Sequence, residues 1–324
     1  MTTSINQITE LIRGEDDFLV VSHYNPDGDA VGSMAAMAWI LTSLGKRFRL
    51  YNISGLPERF SWLRLPMPID QEIPSSKPRW TITLDCGEPN RVGQELFKRM
   101  KKPQVINIDH HQGNPLFGRI NWVDTEISST GEMVAMLANN LDVPLSGDLG
   151  EAIYLALVSD TGWFSYGNTS PATMELAAEI IRLGLRPDHF TPKLQYNWTA
   201  NKVRLLGKAM SQARLYCNGK IGVVSASEED FALTGATGED TEGLVDIIRN
   251  VRSVKVAVSF REEGGHKIKF SLRSTGDTDI RQIAVRFGGG GHINASGGTI
   301  NATLESAEHQ MVTMIQDVLD LESE

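Results

Sequence analysis

The chain has 324 residues, a length that favours two domains of about 150 residues each. It is 41% hydrophobic and 22% charged, an ordinary globular composition. Its net charge is −9 with no long basic run, which argues against a protein that coats duplex nucleic acid by neutralising phosphates. No apolar run approaches the roughly 20 residues of a membrane span, and residues 1–14 read as a polar helix rather than a signal peptide. The expectation is a soluble, cytoplasmic protein with no membrane partner. The only cysteines, Cys86 and Cys217, cannot build a disulfide framework or a cysteine-rich zinc site; they read as buried, reduced thiols.

In chain order, residues 18–22 form a short β-branched strand, and residues 29–44 a helix ended by Gly45. Strands follow over 48–53, 80–84 and 105–108, with helices over 93–100, 130–140 and 149–157. This alternation predicts βαβ units and an α/β fold, with a mostly parallel sheet of five or more strands flanked by helices. Ligands of such sheets gather outside the carboxyl ends of the strands. Ser170 and Pro171 open a helix that Gly184 closes. Residues 186–201 lack a simple period and read as a linker. Beyond them Asn218-Gly219 marks one hairpin and residues 262–265 turn a second. Helices over 242–250, 279–287 and 305–321 complete a smaller α/β C-terminal domain. The predicted division is 1–187, a linker over 188–210, and 211–324.

Four clusters in the first half each lie where a strand is expected to have ended. The first, residues 23–33, holds His23, Asp27 and Asp29 on a strand-to-helix turn. There Gly28 avoids crowding the carboxylates, and Gly32 allows close packing. The second is Asp85, the third Asp109-His110-His111, and the fourth Asp160-Thr161-Gly162. Each has a plain structural explanation: Asp27, Asp29 or Asp160 as a helix cap, Asp85 as a turn residue, a lone histidine as packing. Their coincidence on one sheet edge outweighs these. So many carboxylates cannot stay ionised together without cations. Carboxylate and imidazole ligands suit manganese, with magnesium, cobalt or zinc as alternatives, and the absence of sulfur disfavours a structural zinc site. Two such cations about 3.5–4 Å apart would form a clamp for phosphoryl displacement.

The order His-x-x-Pro-Asp-Gly-Asp-Ala-x-Gly-Ser over residues 23–33, then Asp85, then Asp109-His110-His111, then Asp160-Thr161-Gly162 resembles the DHH phosphoesterases. The glycine-rich run 288–291 followed by His292 resembles the DHH-associated C-terminal domain. Residues 121–130 and 241–246 further resemble the branch of bifunctional oligoribonucleases and pAp-phosphatases. The resemblance implies a metal-binding catalytic domain followed by a substrate-binding domain. It implies one ion on His23, Asp27 and Asp85, and a second on Asp29, Asp85, His110 and Asp160, with Asp85 as the bridge. His111 becomes a phosphate contact or acid, and Asp109 orients the neighbouring histidines. Arg273 and His292, with Gly289, Gly290 and Gly291, become the phosphate grip of the second domain, through the guanidinium fork and a backbone nest.

The expected chemistry is hydrolysis by a metal-bridging hydroxide, completed by closure of the second domain. Expected substrates are short single-stranded RNA, linear dinucleotides such as pApA, and 3′-phosphoadenosine 5′-phosphate. The rival readings are a polyphosphate or pyrophosphate hydrolase and a nucleotide-binding regulator without catalysis. The sequence leaves a homodimer open.

Overall fold

The computed structural model describes residues 4–195 and 198–320. The chain forms two compact units, Met1–Asn197 and Trp198–Glu324. The first unit runs α1 (Ser4–Gly14), β1 (Phe18–Val21), α2 (Gly28–Ser43), β2 (Phe48–Tyr51), β3 (Ile69–Asp70), β4 (Trp80–Leu84), α3 (Gln94–Arg99), β5 (Val105–Asp109), β6 (Ile120–Val123), α4 (Thr130–Asn140), α5 (Gly147–Asp160), α6 (Pro171–Arg182) and α7 (Pro187–Gln195). Its six strands pair in parallel in the order β3-β2-β1-β4-β5-β6.

Alternation along β1 shows why the sheet is covered on both faces. Phe18 and Val20 enter the main core with α2, α4 and α5, whereas Leu19 and Val21 join Cys86, Val92 and Leu96 on the opposite face. Side chains of period two with apolar residues at every position leave no face for water. Helix α2 is apolar around most of its circumference and buried over nearly all its length, as a helix wedged between a sheet and other helices must be. Its crossing with α5 depends on Gly32. A Cβ there would stand 2.5 Å from the Ala152 carbonyl oxygen and 2.9 Å from the Ala156 nitrogen. Gly28 serves the same crossing: a Cβ would collide with the Ser159 side chain of α5, so its role is helix packing rather than room between carboxylates.

The second unit runs α8 (Ala200–Ser211), β7 (Arg214–Tyr216), β8 (Ile221–Ala226), α9 (Glu228–Thr234), α10 (Leu244–Arg249), β9 (Val256–Glu262), β10 (Lys267–Ser274), α11 (Arg281–Arg286), β11 (Gly290–His292), β12 (Ala295–Asn301) and α12 (Leu304–Val318). The sheet order is β11-β12-β10-β9-β8-β7, mixed, with β8 and β9 parallel and the other pairs antiparallel. One face carries Val223, Val258, Phe270 and Met311 of α12; the other carries Val224 and Ala257 under α8 and α10. The segment expected to be a linker is largely helical, because α7 buries Phe190 in the first core and α8 buries Leu205 and Leu206 in the second. No helix among the described residues is long and apolar enough to cross a membrane.

Replacing Gly32 by valine should force α2 from α5 and destabilise the protein by about 1–3 kcal/mol, as overpacked cores do. Urea unfolding reads this as a lower midpoint; an unchanged midpoint would show that the crossing is not tight.

Candidate metal centre

The carboxyl ends of β1, β4 and β5 bring three of the expected clusters to one place. His23 follows β1, Asp85 follows β4, and Asp109 closes β5 ahead of His110 and His111. The fourth arrives differently. Asp160 is the last residue of helix α5, not a residue beyond a strand; the apolar run before it forms the helix expected over 149–157, buried in the main core against α2, α4 and α6.

Asp85 stands at the centre. Its Oδ2 lies 3.5 Å from His23 Nε2, while its Oδ1 lies 3.7 Å from His110 Nε2 and 3.5 Å from His111 Nδ1. It is buried and adopts φ +55°. That left-handed conformation is costly for most residues and milder for aspartate. The turn is held by its own N–H, which donates to the Ile108 carbonyl at 3.1 Å. A strained, buried backbone at a cluster of charged groups is the pattern of a functional site.

On one side of Asp85, His23 Nε2 also lies 3.8 Å from Asp27 Oδ2. Asp27 does cap α2, accepting from Ala30 N–H at 3.0 Å through Oδ1, so the cap and the cluster use different oxygens. On the other side, His110 Nε2 lies 3.6 Å from Asp29 Oδ2 and 3.3 Å from Asp160 Oδ2. In both imidazoles Nδ1 faces a carbonyl, that of Tyr24 at 2.8 Å and of Ile127 at 3.2 Å. Donation from Nδ1 fixes the tautomer and turns the Nε2 lone pair toward the carboxylates.

Several supporting groups have no signature in the local residue pattern. Asp29 accepts from the Thr130 and Gly131 N–H groups at 2.8 and 2.9 Å and from Ser33 Oγ at 3.0 Å. The first turn of α4 thus holds this carboxylate, with the helix dipole favouring its charge. Ser33 is wholly buried and spent on Asp29. Thr130 Oγ1 reaches Asp85 Oδ1 at 3.3 Å. Asn114 donates to Asp109 Oδ2 at 2.6 Å, and Asp109 Oδ1 meets His111 Nδ1 at 2.8 Å. The loop after β1 is fixed by Asn52, which donates to the His23 carbonyl at 2.8 Å. The Ser129 cap ahead of Thr130-Gly131 is a readable helix start; its contact with a carboxylate 101 residues earlier is not.

Burial and the neighbouring carboxylates push the Asp29 carboxyl well above its usual range. Burial raises Asp160 to about 7 despite the opposing pull of His110. Burial also opposes the charge of Asp85, but His23, His111 and His110 outweigh it and hold Asp85 well below the carboxylate range. The pocket holds more negative charge than its imidazoles offset and calls for protons or cations. Two groupings offer ligand atoms within 4.8 Å of one another, His23–Asp27–Asp85 and Asp29–Asp85–His110, and they share Asp85 through different oxygens. A third, Asp85–Asp109–His111, has both Asp109 oxygens engaged by Asn114 and His111. This donor set of carboxylates and imidazoles fits divalent cations. Cys86 offers no thiolate, since burial pushes it up to about 12.

In the second unit, Arg273 of β10 pairs with Ala295 of β12, which pairs with His292 of β11. Directly opposed residues share a sheet face, so Arg273 and His292 stand in one row with a small residue between. Asp246 Oδ1 lies 3.3 Å from Arg273 Nε. Gly290 and Gly291 belong to the edge strand β11 rather than to a loop. Cβ atoms at Gly289 and Gly291 would lie 2.1 Å from the Gly297 oxygen and 2.4 Å from the Ala295 oxygen. The close pass over β12 therefore demands glycine at these two positions, whereas Gly290 has open space.

The DHH family, N-terminal domain, matches residues 17–157, and the DHHA1 domain matches residues 223–320. A bifunctional oligoribonuclease and PAP phosphatase NrnA of Thermus thermophilus is 30% identical over 96% of this chain and 93% of its own length. A Bacillus subtilis protein of the same name is 29% identical over 90% and 93%. The crystal structure of an exopolyphosphatase-related protein from Bacteroides fragilis superposes with a TM-score of 0.88 at 27% identity, covering 98% of this chain and 95% of that one. With both domains in order and a relative matched over nearly its whole length, this chain belongs to the DHH family, as a phosphoesterase carrying a DHHA1 domain.

Proposed function

We propose that this enzyme hydrolyses short RNA oligonucleotides, linear dinucleotides such as pApA, and 3′-phosphoadenosine 5′-phosphate, using two divalent cations at the Asp85 cluster. The observation that carries the reading is Asp85 itself, with one oxygen toward His23 and the other toward His110. The names of the Thermus and Bacillus relatives, oligoribonuclease and PAP phosphatase, support the substrate class. We assign one ion to His23, Asp27 and Asp85, and the other to Asp29, Asp85, His110 and Asp160, with manganese as the preferred metal. Bound there, the cations would supply an activated water and offset charge at the phosphoryl oxygens.

The protein groups do the rest. The His23 and His110 rings are locked by their Nδ1 contacts, so their lone pairs stay aimed without reorganisation. Asp109 orients His111, which contacts the substrate phosphate and holds a proton for the leaving oxygen. Burial works against that proton, but the Asp109 hydrogen bond and the charge of Asp85 raise His111 to about 9. Arg273, steadied by Asp246, offers its guanidinium to a phosphate of the substrate, with His292 and the strand Gly290–His292 beside it. A second reading, hydrolysis of polyphosphate, is favoured by the name of the Bacteroides structure. A regulator without catalysis is disfavoured by the intact cluster.

A panel with manganese separates these readings. Mononucleotides should appear from pApA and short RNA, and phosphate from 3′-phosphoadenosine 5′-phosphate, with little from pyrophosphate or polyphosphate. Strong release from the last two with inert RNA would overturn the proposal. The pH profile tests His111. Its raised value keeps it protonated at neutral pH, and that form is lost as pH rises through the folded value. Asp109→Asn removes the group that raises it, so the alkaline limb of kcat should move to lower pH. A limb that stays in place would remove His111 from the proton-donor role.

A further inference from the structure

Tyr24 is 45% exposed although both neighbours in sequence are tied down. Its own backbone is fixed at each end: its N–H donates to the Arg91 carbonyl at 2.7 Å, and its carbonyl faces His23 Nδ1 at 2.8 Å. Asn25, the next residue, is held at φ +50° by a 2.8 Å hydrogen bond from its N–H to Ser54 Oγ. The ring therefore projects from a rigid loop, one residue from a proposed cation ligand. The Arg91 guanidinium lies over it, 5.8 Å from the ring centroid, within the range of cation–π attraction.

Arg91 stands close enough to the metal-centre loop to act on His23, and among the described residues its side chain makes no ion pair or side-chain hydrogen bond. Its charge still reaches inward, opposing protonation of His23. An uncommitted guanidinium and an exposed ring, both anchored by backbone to the metal-centre loop, form a platform with one cationic and one aromatic part. Every nucleobase has a face that can stack on an aromatic ring, a contact that tolerates any base, and a guanidinium matches a phosphate.

The geometry points to a nucleotide subsite made by Tyr24 and Arg91: the base next to the scissile phosphate stacks on Tyr24, and a phosphate of that nucleotide meets Arg91. This subsite rests on the proposed action on short nucleotides. It explains how an acidic protein without a basic track holds a short nucleic acid: one stacked base and one cation beside the metal centre suffice. Stacking on Tyr24 would also be indifferent to base identity, since every base offers a face.

The test measures AMP and adenosine binding by calorimetry in the full chain, together with kcat and KM for pApA and for an analogue of it lacking one base. Tyr24→Ala should weaken AMP binding and raise the pApA KM about tenfold, with a much smaller effect on the abasic analogue; Tyr24→Phe should restore both. Arg91→Ala should weaken AMP far more than adenosine, and Arg91→Lys should recover part of the loss. Equal losses on pApA and its abasic analogue, or unchanged AMP binding in Tyr24→Ala, would overturn the subsite. If wild type binds AMP through Tyr24 but cleaves no RNA or dinucleotide, the subsite stands and the proposed activity falls. If cleavage is robust and Tyr24→Ala is silent, the reverse holds.

Discussion

Asp85 is the constraint on which the rest of the first unit depends. Its two oxygens face two imidazoles on opposite sides, and a carboxylate buried this deeply needs such partners. To hold it there, the chain leaves β4 in a left-handed turn. Neighbouring strands deliver His23 and His110, so the parallel register of β1, β4 and β5 sets the separation of the groups. A parallel sheet is the natural scaffold for this arrangement, because every strand ends on the same edge.

The supporting shell explains how the cluster survives its own repulsion. The α4 N-terminus offers two N–H groups to Asp29, and Asn114 with His111 occupies Asp109. Tight glycine contacts between α2 and α5 place Asp29 at the start of one helix near Asp160 at the end of the other. Packing and electrostatics are thus one problem here: a side chain at Gly32 would move a carboxylate as well as a helix.

Much of this was legible from residue order. Trp80–Leu84 reads as a strand because its residues are apolar and β-branched, and the acidic and imidazole residues beyond it announce a crowded anionic edge. The run before Asp160 reads as a helix over 149–157, which it is; the error lies in grouping its end with the strand ends. The strand β12 carries no apolar stripe, because Ala295–Asn301 is small and glycine-rich and pairs by backbone alone. Helix α8 was absorbed into an expected linker, since Ala200–Ser211 shows its apolar face only against the second sheet. The grip of α4 on Asp29 joins residues about a hundred positions apart, beyond the reach of any local pattern. Gly289 and Gly291 were legible as glycines with a purpose, but the purpose includes a close strand crossing.

The central claim is that Asp85 bridges two cations. Anomalous diffraction from crystals soaked in manganese tests it most directly. The account predicts two peaks about 3.5–4 Å apart, one within reach of His23, Asp27 and Asp85 and the other within reach of Asp29, Asp85, His110 and Asp160. A single peak, or two peaks neither of which touches Asp85, would contradict it.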